Sequence, residues 1–94
     1  MTESAPATEQ LSLIEYPSDF PIKIMGHAQP GFTQAVLAII QRHAPDFDKS
    51  NMETRTSSKA KYLSLTCTIR AVSREQLDAI YQELSGHPLV VMAL

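Results

Sequence analysis

The chain has 94 residues, 44% of them hydrophobic and 19% charged, the composition of an ordinary globular protein with room for one core. Its formal net charge of −2 supplies no broad positive field, which makes nucleic acid an unlikely partner, and no apolar run approaches the roughly 20 residues that span a bilayer, so no membrane is expected either. A lone cysteine, Cys67, excludes an intramolecular disulfide and a cysteine-based zinc site; the expectation is a reducing, cytoplasmic compartment with no cofactor and no metal.

Residues 1–12 carry no apolar periodicity and no basic n-region, and read as a disordered tail rather than a signal peptide; residues 13–94 read as one domain. Over residues 20–28, Ile22, Ile24, Gly26 and Ala28 alternate with Lys23, Met25 and His27, the period-2 pattern of a half-buried strand. Pro30-Gly31 then punctuates the chain, and Phe32, Val36, Ile39, Ile40 and His43 recur at helical spacing until Pro45 stops the helix. After a polar turn at residues 46–50, Met52, Thr54 and Thr56 alternate with Glu53 and Arg55, which predicts a modest edge strand over residues 51–57.

From Tyr62 to Ala71 the alternation is clean: Leu63, Leu65, Cys67, Ile69 and Ala71 take the core side, and Tyr62, Ser64, Thr66, Thr68 and Arg70 the wet one. Ser73 and Gln76 have the spacing of a capping box, with the serine hydroxyl accepting from the third helical N–H and the glutamine reaching back. Leu77, Ile80, Tyr81 and Leu84 follow on one helical face, and Gly86 suits a left-handed turn after the helix. Residues 88–94 form a short, continuously apolar final strand.

The order is β, α, β, β, α, β. Right-handed crossovers make the simplest closed solution an α+β ferredoxin-like sandwich, a four-stranded antiparallel sheet with two helices on one face. Strands one and three are then central, with strand four beside strand one and strand two beside strand three.

This topology gathers residues that are distant in sequence. The end of strand one and the starts of strands three and four meet at one edge, bringing His27, Lys61 and His87 together beside the turn from Gly26 to Gly31. The first helix begins there, and its free N–H groups favour a small anionic metabolite. The competing account is a tight turn with solvated side chains and glycines present for backbone geometry. A second surface is the sheet face away from the helices, expected to carry Lys23, Met25, His27, Ser64, Thr66, Thr68, Arg70, Val90 and Met92. Lys23, Met25, Thr66, Arg70 and Met92 mark it as a surface for a protein partner or a homodimer, with the edge of strand two as an alternative place for strand addition.

An RNA-recognition sheet stacks bases on paired aromatics, and here only Tyr62 offers a ring. Cys67 on the apolar side of a central strand reads as core. His43 reads as a helix C-terminal cap, and Glu75, Asp78 and Glu83 as solvation. No P-loop or GxGxxG fingerprint occurs, and no nucleophile has a matched base, so no enzyme is expected.

The segments Glu15-Tyr16-Pro17, Lys23-Ile24-Met25-Gly26 and Gln41-Arg42-His43-Ala44-Pro45, with Phe20, Ser57-Ser58-Lys59, Tyr81, Glu83-Leu84 and the ending Met92 to Leu94, carry a family resemblance. The chain resembles the YbeD-like family of small uncharacterised bacterial proteins over residues 13–94. That resemblance implies an ACT-like fold and a regulatory domain, with an effector site at the turn after the first strand, often at a dimer interface. It also implies a link to lipoate metabolism, because members are often encoded near lipoate-attachment genes. It implies no catalytic activity.

Overall fold

The computed structural model describes residues 15–57 and 59–94. Its elements are β1 (Ser18–His27), α1 (Phe32–His43), a 3-10 turn (Lys49–Asn51), β2 (Met52–Thr56), β3 (Tyr62–Ala71), α2 (Arg74–Gly86) and β4 (Val90–Ala93). The strands form one sheet in the order β2-β3-β1-β4, and every neighbouring pair is antiparallel. The ferredoxin-like βαββαβ arrangement expected from periodicity is the fold of the protein. The proposed tail at residues 1–12 lies outside the described residues.

Alternation decides which side of the sheet each residue takes. Ile22 and Ile24 from β1 and Leu65, Cys67 and Ile69 from β3 point to the helices and are fully or almost fully buried. The helices close over them with Phe32, Val36, Ile39 and Ile40 from α1 and Leu77, Ile80 and Leu84 from α2. Burial of each large side chain favours the fold by about 1.5–3 kcal/mol, so this one cluster is what ties sheet to helices.

Several details depart from the sequence reading. Val90 does not lie on the open face. The register of β4 against β1 shifts between Met25 and Gly26, so that Met92 stands opposite Met25 while Val90 stands opposite Gly26. One extra residue in a strand reverses the parity of everything beyond it. Val90 therefore packs, half-buried, against the core, and Val91 is exposed instead.

Gly86 is the last residue of α2 rather than a left-handed cap; the chain leaves the helix through His87 at φ −85°, and among the described glycines only Gly31 has positive φ. The Ser73 hydroxyl accepts from the Gln76 N–H as expected, but the Gln76 side chain reaches past Ser73 to accept from the Val72 N–H. Its amide nitrogen donates to the His43 carbonyl, tying the start of α2 to the end of α1. The segment after α1, read as a polar turn, buries Phe47, whose carbonyl accepts from Gln41 Nε2.

Candidate functional site

Two places had been singled out in the sequence, and the fold puts them next to each other. The first is the open sheet face. Cross-strand pairing arranges it in rows: Arg55, Ser64, Met25 and Met92 form one, and Glu53, Thr66 and Lys23 the next. Tyr62 stands opposite His27, their ring centroids 5.7 Å apart, and Arg70 stands opposite Asp19. Met25, Tyr62 and Met92 are 38%, 39% and 45% exposed, an apolar band crossing a polar face. Of the nine residues expected there Val90 is on the core side instead, while Lys23, Met25, Thr66, Arg70 and Met92, the five marked as a partner surface, are on this face.

A shallow groove opens in the band, lined by Met25, Arg55, Thr56, Ser57, Tyr62, Leu63 and Ser64. Sequence reasoning had not included Arg55 in it. The signal was there, since Glu53 and Arg55 alternate with Met52, but which face they share with Met25 depends on the register of β2 against β3. At the opposite end of β3, Asp19, Asp46, Asn51, Thr68 and Arg70 line a more polar cleft.

The second place is the β1–α1 turn. Here the backbone brings together the segments foreseen: the His27 N–H donates to the Leu89 carbonyl at 3.0 Å, and the Ala28 N–H donates to the Lys61 carbonyl at 2.9 Å. The side chains have more local roles. His87 Nδ1 accepts from the Leu89 N–H at 3.1 Å, turning that ring back on its own loop. Gly26 is buried where a Cβ would collide with the Phe32 ring and the Leu89 carbonyl oxygen, so close packing accounts for it. Gly31, at φ +91°, is the N-cap of α1 and offers no side-chain cap, while the Phe32 N–H of the first turn donates to the Gln29 carbonyl at 3.2 Å. Lys61 is exposed.

Burial pushes the Cys67 thiol up to about 11, so it is neither thiolate nor nucleophile at neutral pH. Among the described residues no three His, Cys, Asp or Glu side chains are grouped to hold a metal ion, and no helix is long and apolar enough to cross a membrane. One charged cluster was misjudged in the sequence. Glu83 is not simply solvated: it bridges from α2 to Arg42 and to His43 Nε2, the latter at 2.5 Å, at the end of α1. Hydrogen bonding to His43 and the nearby Arg42 charge hold its carboxyl below the usual range.

Comparison with known proteins identifies the family and the fold. The family described as "Protein of unknown function (DUF493)" matches residues 11–94. UPF0250 protein NE1487 of Nitrosomonas europaea is 63% identical over 83 residues, covering 88% of this chain and 95% of that one. UPF0250 protein RSc0326 of Ralstonia nicotianae is 50% identical over 93 residues, covering 99% and 94%. The solution structure of protein HP0495 from H. pylori superposes with a TM-score of 0.72 at 19% identity, covering 99% of this chain and 98% of that one, a likeness of fold. None of these descriptions names an enzymatic activity. The chain therefore belongs to the DUF493 family of UPF0250 proteins, the YbeD-like family its sequence resembles.

Proposed function

We propose that this chain is a non-catalytic, cytoplasmic interaction domain that receives a protein partner on its open sheet face. The observation that carries this reading is the exposed band of Met25, Tyr62 and Met92, bordered by Lys23, Arg55, Thr66 and Arg70. Adaptable methionines framed by polar groups suit a protein surface better than bulk water does. The test compares native and Met25→Glu/Met92→Glu proteins as baits for native complexes. A partner held by the first and lost by the second, with unchanged circular dichroism, is the expected result. Equal retention by both proteins overturns the reading.

A second reading has its own support. The uncapped first turn of α1, with His27 and Lys61 alongside, favours a small anionic effector, which would make the domain regulatory and allow the link to lipoate metabolism. Titration with amino acids, lipoate and phosphate metabolites, followed by backbone amide shifts, is expected to move residues 27–32. Unmoved resonances there exclude this effector site.

A further inference from the structure

The free edge of the sheet at β2 has a property that neither the open face nor the β1–α1 turn uses. Ser57 N–H donates to the Tyr62 carbonyl at 3.0 Å, which fixes the parity of the β2–β3 ladder. Residues in step with Ser57, namely Glu53 and Arg55, turn their backbone groups toward β3, opposite Thr66 and Ser64. Met52, Thr54 and Thr56 turn theirs to the outside. The Met52 N–H is taken by the Lys49 carbonyl, which leaves the N–H groups of Thr54 and Thr56 and the carbonyls of all three without a ladder partner. Beyond Met52 the side chains of β2 are exposed, and the strand contains no proline and no register shift, the usual devices that blunt an edge.

The sequence of that edge, Met52-Glu53-Thr54-Arg55-Thr56, is self-complementary when run antiparallel to itself. Centred on Thr54, Glu53 of one copy meets the partner's Arg55, and Arg55 meets the partner's Glu53. The hydrogen-bonding parity permits this register: Thr54 N–H reaches the partner's Thr54 carbonyl and Thr56 N–H the partner's Met52 carbonyl, each bond made twice by the two-fold axis. Glu53 and Arg55 then stand in the non-hydrogen-bonded pairs, where side chains approach most closely. Among the described residues neither Glu53 nor Arg55 has an ion-pair partner within its own chain. The other edge, β4, is a residue shorter and is interrupted by its register shift.

We propose that two copies of this chain associate through β2, antiparallel and centred on Thr54, with reciprocal Glu53–Arg55 pairs, into one continuous sheet about a two-fold axis normal to it. The backbone edge that pairs is distinct from the open face, which it adjoins at Arg55. The dimer places two open faces side by side on one surface and two pairs of helices on the other.

The test is a charge exchange read by sedimentation over a concentration series. Native protein is expected to self-associate. Glu53→Arg and Arg55→Glu each set like charges opposite one another and weaken association roughly tenfold or more. An equimolar mixture of the two variants restores it, because every facing pair is again opposite in sign, and the double variant Glu53→Arg/Arg55→Glu dimerises with itself. Both positions are exposed, so folding survives and circular dichroism verifies it. A native protein that stays monomeric at all concentrations, single variants that associate as the native chain does, or a mixture that remains monomeric overturns the proposal.

Discussion

Gly26 and Gly31 flank one turn but are glycine for different physical reasons. At Gly26 the backbone conformation is ordinary and the space is missing: the Phe32 ring and the Leu89 carbonyl fill it, joining the end of β1 to α1 and to the loop before β4. At Gly31 the space is open and the backbone is unusual, at φ +91°. Gly26→Ala is expected to lower stability by about 1–3 kcal/mol through overpacking. Gly31→Ala is expected to cost about 1–2 kcal/mol through the left-handed conformation, without disturbing the core. Urea unfolding of both variants checks this, with near-ultraviolet dichroism altered for Gly26→Ala alone; a Gly26→Ala protein as stable as the native chain would remove the packing argument. The alternation of residues 20–28 already placed Gly26 on the core side. It did not announce the contact with Phe32, which depends on how the turn folds back.

At the scale of elements, the helices are joined at one end by polar groups that periodicity ranks as surface. Glu83 of α2 holds Arg42 and His43 of α1, while Gln76 bonds to the His43 carbonyl. Helical spacing places Glu83 off the apolar stripe, which is why solvation was the natural reading; interhelical geometry was needed to reveal its partners. Its lowered pKa has a definite sign. The unfolded chain takes up the proton first as pH falls through the ordinary value of 4.5, so the stability Glu83 contributes is present above that value and is lost as pH falls through the lower, folded pKa. Glu83→Gln is accordingly expected to melt lower than the native chain at neutral pH, with the difference shrinking in acid. Thermal melts of both proteins over an acid series decide it, and a difference independent of pH would mean that packing, not charge, is lost. By contrast, the Ser73 cap was legible, because its hydrogen bond is made within one helical turn.

For the molecule as a whole, the order β2-β3-β1-β4 followed from element types and right-handed crossovers, and β3 occurs at its expected bounds because every second residue from Leu63 to Ala71 is apolar. The adjacency of His27, Lys61 and the loop before β4 was legible for the same reason. Val90 was not, since a single inserted residue leaves no trace in a uniformly apolar run, and the direction of the His87 ring is set by a local hydrogen bond. The sheet's parity makes a residue-by-residue prediction for hydrogen exchange. In dilute protein the amides of Glu53 and Arg55, which face β3, exchange slowly, while those of Thr54 and Thr56, on the free edge, exchange fast. If β2 pairs with its copy, raising the concentration slows Thr54 and Thr56 and leaves Glu53 and Arg55 little changed, a pattern that general crowding or sheet-face association does not produce. Fast exchange at Thr54 and Thr56 at every concentration would assign that edge to solvent.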